Sequence, residues 1–169
     1  MNIKLGLLGN MDVGKSSLSR KFAKRESIDS SAKNIKTTGI DMFNTWCKID
    51  IAKILEKDIA ANGGSANGVN LEDNIIRLSI WDTAGQELST NVNHTYVRGV
   101  DGMILVHDLS RKDSFDSIEV WARQVLSLKL MPTVILGNKC DLPVERLTVF
   151  DSDFEKMNAT FPADREIRI

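Results

Sequence analysis

A doubly wound α/β fold, with a mostly parallel sheet and one antiparallel edge strand, is predicted by three observations. Apolar runs at 3–8, 76–81, 102–107 and 133–137 are short and aliphatic or β-branched, as parallel strands buried on both faces are. Helical patterns lie between these runs, and strands alternating with helices build such sheets. The first run opens into Gly9-Asn10-Met11-Asp12-Val13-Gly14-Lys15-Ser16 and then the helix-compatible Ser17-Leu18-Ser19-Arg20-Lys21-Phe22. Strand, glycine-flanked turn and helix start make a phosphate cradle, the P-loop.

Each element follows from its own pattern. In 114–128, Phe115, Ile118, Trp121, Ala122, Val125 and Leu126 recur at i, i+3 and i+4, with Asp113 the expected N-cap. Residues 40–48 read as an edge strand pairing antiparallel to 75–81. Between those two strands, 49–74 is far longer than a hairpin loop of about 2–5 residues. Ile51, Ile54, Leu55 and Ile59 sit at helical spacing inside Asp50 to Ala61, and Asn62-Gly63-Gly64 stops that helix before a Gly/Asn/Ser loop to Asn70. The segment reads as an inserted amphipathic helix with a return loop, its apolar stripe docked on the chain's own sheet edge or on a partner.

The 169 residues, 18.8 kDa and 42% hydrophobic content describe one domain over 1–169 with enough apolar mass for a packed core. A net charge of −1 and a pI near 6.1 give no electrostatic case for nucleic acid or an anionic membrane. The basic cluster Lys21, Lys24, Arg25 reads as a solvated helix end that complements the helix dipole. Cys47 and Cys140 are too few for a disulfide scaffold and lack metal-ligand spacing, which fits a reducing, cytoplasmic setting. No apolar stretch of about 18 residues spans a bilayer, Asn2 is no myristoylation site, and Glu166-Ile167-Arg168-Ile169 offers no cysteine for prenylation. No intrinsic membrane anchor is expected. His94 and His107 stand alone, without cysteine or carboxylate partners at ligand spacing, and read as structural.

The chemistry lies in three segments. In the P-loop, backbone N–H groups face a polyphosphate, Lys15 reaches the β/γ oxygens and the Ser16 hydroxyl ligates Mg²⁺. Asn138-Lys139-Cys140-Asp141 follows the run Thr133-Val134-Ile135-Leu136-Gly137, where open sheets bind ligands at strand carboxyl ends. A carboxylate there accepts from guanine N1–H and N2–H₂, a donor pair that adenine lacks. Alone the tetrapeptide is a weak signal; in order behind a P-loop it is strong. Between them, Trp81-Asp82-Thr83-Ala84-Gly85-Gln86-Glu87 leaves a strand with Asp82 placed to hold Mg²⁺ through its water shell, Gly85 to bond the γ-phosphate and Gln86 to orient a water.

With these residues together the chain resembles the small GTPases of the Ras superfamily, and most nearly the Rab branch. Trp81 to Glu87, Tyr96-Val97-Arg98-Gly99, Gly102 to Leu109, Asp113-Ser114-Phe115 and Trp121 carry the resemblance, which spans about 3–149 apart from the insertion. It implies guanine-nucleotide contacts from Asn10, Asp12, Val13, Gly14, Lys15, Ser16, Ser17, Thr37, Gly85, Asn138, Lys139, Asp141 and Leu142. Mg²⁺ would be held by Ser16, Thr37 and Asp82, with Thr38 the alternative to Thr37 in Thr37-Thr38-Gly39-Ile40-Asp41. Gln86, Lys15 and Thr37 would carry hydrolysis of GTP to GDP. Effector, exchange-factor and activating proteins would meet 37–46 and 81–98.

Several positions depart from that family. Met11 stands where Ras proteins carry glycine; it either crowds the γ-phosphate, Gln86 and an activating arginine, leaving slow turnover, or folds away. Met42 replaces an aromatic that in Rabs forms an effector-facing trio with the counterparts of Trp81 and Tyr96, and 26–36 has no aromatic beside the guanine edge. The family's Ser-Ala-[Lys/Leu] loop would fall at about the last residue and is not found, and the fold is expected to lack the usual final helix. The leading expectation is a Mg²⁺-dependent GTPase switch. The alternative is a non-catalytic or very slow GTP-binding scaffold, and a P-loop kinase or ATPase is disfavoured by Asn138 to Asp141.

Overall fold

The computed structural model describes residues 1–24, 39–49, 74–83, 94–160 and 165–168. In chain order these form β1 (Asn2–Leu8), α1 (Lys15–Lys24), β2 (Ile40–Ile49), β3 (Asn74–Thr83), α2 (His94–Gly99), β4 (Gly102–Asp108), α3 (Lys112–Leu128), β5 (Thr133–Asn138), a 3₁₀ turn (Val144–Arg146), α4 (Asp151–Thr160) and β6 (Arg165–Arg168). The sheet runs β2-β3-β1-β4-β5-β6. Only β2 and β3 pair antiparallel, from Ile40 opposite Thr83 to Ile49 opposite Asn74; β1, β3, β4, β5 and β6 are parallel. Strand order reverses between β1 and β4, so the crevice at their carboxyl ends is where such a sheet binds ligands.

Apolar side chains divide between the two faces. Under α2, α3 and α4 lie Leu8, Val97, Met103, Leu105, Ile118, Val125 and Ile135, all fully or almost fully buried. On the opposite face Leu7, Val13, Leu78, Ile80, Val106 and Leu136 are buried, with Leu18 of α1 and Phe43 packed against them. Most of the α3 stripe read from the sequence faces the sheet: Phe115, Ile118, Trp121, Ala122 and Val125 are buried, whereas Leu126 is half-buried and Leu128 packs against the core instead. Burying each large side chain contributes about 1.5–3 kcal/mol, more than propensity supplies over the same helix.

Three features depart from the sequence reading. Asp113 is not the N-cap of α3, because the helix starts at Lys112 and Arg111 occupies the cap without a side-chain bond to the backbone. Asp113 lies in the first turn, where its charge suits the helix dipole and its carboxylate accepts from Arg111. The remaining two are elements that periodicity did not reveal. Among its described side chains α4 buries Phe154 and Met157, and its start is fixed by the Asp153 carboxylate accepting the Phe150 N–H at 2.9 Å. β6 is four mainly charged residues held by backbone pairing, with Leu136 opposite Ile167. The inserted helix expected at 50–61 and its return loop lie outside the described residues.

Candidate functional site

Between β1 and α1 the chain turns through Gly9 (φ 147), Asp12 (φ 62) and Gly14 (φ 96). Any side chain on Gly9 would strike the Val106 carbonyl of β4, and one on Gly14 would strike the Asn138 amide, so glycine is required at both ends of the loop. Inside it, Lys15 Nζ donates to the carbonyls of Gly9 at 2.9 Å and Asn10 at 2.8 Å. From the β5 side the Asn138 amide donates to the Val13 carbonyl at 2.8 Å. The Leu18 N–H takes the Gly14 carbonyl at 3.0 Å, which starts α1. All peptides of the described residues are trans, so each captured carbonyl directs the next N–H the opposite way. An ammonium has three donors, and two of Lys15's are committed to carbonyls.

The electrostatics set a buried ammonium near a buried carboxylate, a pairing that could meet an anion and a cation together. Lys15 is 5% exposed, and burial lowers its pKa to about 8 against the opposing pull of Asp82 and Asp12. Asp82, at the end of β3, is fully buried, and burial raises its pKa although the Ser16 hydroxyl and the Lys15 ammonium pull it down. Among the described residues neither Asp82 carboxylate oxygen has a hydrogen-bond partner of good geometry. An inward carboxylate of this kind, beside a serine hydroxyl, fits a hard divalent cation with oxygen ligands.

The loop after β5 begins with Lys139 in the left-handed region (φ 67), and the Leu142 N–H closes on the Lys139 carbonyl at 3.2 Å. The Lys139 ammonium pairs with Asp108, at the end of β4. Burial alone would raise the Asp108 carboxyl, but Lys139 and the Ser110 hydroxyl and N–H outweigh it and hold it low. Within this turn Asp141 is exposed and Leu142 half-buried.

The structure thus gathers Asn10, Asp12, Val13, Gly14, Lys15, Ser16, Ser17 and Asp82 with Asn138, Lys139, Asp141 and Leu142 along the carboxyl edge of β1, β3 and β5. Thr37, its alternative Thr38, Gly85 and Gln86 lie outside the described residues.

Three contacts were not legible in the sequence. Asn10 Nδ2 donates to Ser117 Oγ at 3.0 Å, Trp121 Nε1 donates to Asn10 Oδ1 at 3.1 Å, and Arg111 Nη1 donates to the Met11 carbonyl at 2.9 Å. All three tie the phosphate loop to α3. The apolar stripe accounts for the Trp121 ring, but periodicity carries no information about which way an indole N–H points.

The expected effector-facing trio is corrected. Met42 is 63% exposed, opposite the half-buried Trp81, but Tyr96 is 2% exposed. Its hydroxyl donates to the Trp81 carbonyl at 2.9 Å, and its ring packs 6.1 Å from the Trp81 ring, so Tyr96 supports this edge from within.

Comparison with known proteins gives a match to the model of the Ras family over residues 4–161. The chain is 33% identical over 152 residues to the Ras-related protein Rab-1C of Dictyostelium discoideum, covering 89% of this chain and 63% of that protein. It is 30% identical over 152 residues to the GTP-binding protein YPT1 of Saccharomyces cerevisiae, covering 88% of this chain and 61% of YPT1. The Ras-related protein Rab-3 of Caenorhabditis elegans is 32% identical over 151 residues, covering 88% of this chain and 57% of that protein. The chain therefore spans less than two thirds of the length of the curated relatives it matches.

Proposed function

The chain belongs to the Ras family, and from that premise we propose that it is a Rab-like switch that binds GTP and GDP with Mg²⁺ and hydrolyses GTP slowly. The observation that carries this reading is the meeting of Lys15, buried and bound to the Gly9 and Asn10 carbonyls, with the open buried carboxylate of Asp82. A polyphosphate in the loop accepts the third Lys15 proton and the loop N–H groups, and its charge restores the ammonium that burial disfavours. Ser16, Asp82 and Thr37 are the residues that would hold Mg²⁺, which when bound neutralises charge on the β- and γ-phosphate oxygens. Asp141 reads the guanine edge. Gln86 orients the attacking water, and Thr37 and Gly85 order their loops around the γ-phosphate and release them after hydrolysis.

Met11 is the residue that favours slow turnover, since a long side chain at the mouth of the cradle competes with an incoming activating arginine. Effectors, exchange factors and activating proteins engage 37–46 and 81–98, where exposed Ile40, Met42 and Trp46 alternate along β2. The test is nucleotide identity in purified protein, calorimetry with GTP, GDP and ATP at fixed Mg²⁺, and single-turnover hydrolysis. GTP and GDP are expected to bind far more tightly than ATP. Asp141→Asn is expected to shift preference toward xanthine nucleotides, and ATP binding equal to GTP would overturn the reading. Binding without any turnover would leave the static scaffold as the function.

A further inference from the structure

Five carbonyls of the phosphate loop are each held by a donor, and one of those donors comes from outside the nucleotide motifs. Lys15 takes Gly9 and Asn10, Asn138 takes Val13, the Leu18 N–H takes Gly14, and Arg111 takes Met11. Arg111 is itself held: its Nη2 and Nε donate to the two Asp113 carboxylate oxygens at 2.7 and 3.4 Å, leaving Nη1 for the Met11 carbonyl at 2.9 Å. Asp113 raises the pKa of Arg111 most strongly, with Asp108 and Asp12 adding to it, so the guanidinium stands among carboxylates beside the loop. The residue after Met11, Asp12, has φ 62, a left-handed conformation uncommon outside glycine though open to aspartate, so the peptide before it sits at a sharp bend of the loop. Asn10 is gripped from the same helix by Ser117 and Trp121.

We propose that Arg111 is a positioning residue for the phosphate loop: it fixes the Met11–Asp12 peptide and thereby slows nucleotide release. Across a trans peptide the Asp12 N–H runs antiparallel to the Met11 carbonyl, so a carbonyl held by Arg111 aims that N–H away from α3. Without the guanidinium the Met11–Asp12 peptide can rotate, and the loop loses one fixed donor. The inference rests on the nucleotide-binding reading above and deepens it, because it names a residue outside the recognised motifs that sets how long nucleotide stays.

The experiment measures release of a fluorescent GDP analogue, chased with excess GDP in Mg²⁺ buffer, from the whole chain and its variants. Arg111→Ala is expected to release about five- to twentyfold faster, the scale of one charge-assisted bond at a partly exposed site. Asp113→Ala should accelerate release less, and the double variant should be no faster than Arg111→Ala, because the two residues act as one unit. Arg111→Lys keeps the charge without the fork and should recover only part of the loss, which also provides the comparison should Arg111→Ala not fold. Arg123→Ala removes the Glu119 pair of the same helix and should leave release unchanged. In the GDP complex the Asp12 amide resonance should move in Arg111→Ala and stay in Arg123→Ala. Release unchanged within twofold in the Arg111 variants, or accelerated equally in Arg123→Ala, overturns the positioning role alone. A wild-type chain that retains no guanine nucleotide overturns the functional reading, and this inference with it.

Discussion

The Asn138 side-chain amide donates to the Val13 carbonyl at 2.8 Å, across 125 positions of chain, and so joins the loop after β5 to the loop after β1. The two loops are thereby one mechanical unit. Gly14 lies against that amide with no room for a Cβ, so the joint depends on glycine at 14 as much as on asparagine at 138.

Asn138→Ala should therefore weaken GDP as well as any base-specific preference. Leaving a partly buried carbonyl unsatisfied costs about 1–3 kcal/mol, or roughly 5- to 150-fold in affinity if all of it appears in binding. Calorimetry with GDP and with pyrophosphate separates the effects. A loss confined to the nucleoside, with pyrophosphate binding intact, would mean that the phosphate loop holds its shape without Asn138.

Lys15 gives the site a pH dependence whose sign can be worked out. Its pKa falls from 10.5 to about 8 in the nucleotide-free protein, so between those values the folded state binds fewer protons than the unfolded one. Stability of the nucleotide-free protein should accordingly rise as pH increases through that window. Polyphosphate binding favours the charged ammonium, so nucleotide should bind with proton uptake above about pH 8 and more weakly as pH climbs. Calorimetry in buffers of different ionisation enthalpy reads the proton directly. Heats independent of buffer at pH 8.5 would show that Lys15 is already fully charged.

Asp82 behaves in the opposite sense. Burial raises its pKa above the unfolded value, so its ionised form costs stability at neutral pH that is recovered on acidification toward the folded pKa. Asp82→Asn removes the charge at nearly constant volume. It should raise the melting temperature of the nucleotide-free protein while abolishing the Mg²⁺-dependent part of GDP affinity. A lower melting temperature would mean that the carboxylate is stabilised by contacts its geometry does not reveal.

Much of this molecule was legible because parallel strands and a sheet-facing helix leave simple periodic marks. β1, β3, β4 and β5 are apolar runs, β2 alternates, and α3 repeats at i, i+3 and i+4 through Phe115, Ile118 and Trp121. The site residues Lys15, Asp82 and Asn138 were legible because each is placed by the end of such a strand. What was missed depends on direction or on pairing. β6 is held by the backbone of β5 and could not be seen in Arg165-Glu166-Ile167-Arg168. Among its described side chains, α4 buries Phe154 and Met157. The polar edge of α3 joins Arg111, Ser117 and Trp121 to the loop by atoms whose orientation no spacing predicts. The family resemblance implies an outward Tyr96, yet its hydroxyl donates to the carbonyls of Leu7 and Trp81 under the sheet edge.

Met11 is where rate, as distinct from binding, is expected to be set. Its carbonyl is bound by Arg111, and its backbone is not in the left-handed region, which in this loop is reserved for Gly9, Asp12 and Gly14. Glycine at 11 would relieve no strain, so any gain in rate on Met11→Gly must come from removing the side chain. Met11→Ala makes the same removal without adding backbone freedom. Both variants should hydrolyse GTP faster in single turnover, or become responsive to an arginine supplied by an activating protein, an effect worth about 10³–10⁵ where it operates. Equal gains in the two variants would assign the effect to steric relief at the mouth of the cradle. A gain in Met11→Gly alone would assign it to loop flexibility, and no gain in either would show that the methionine folds away from the γ-phosphate and that slow turnover has another source.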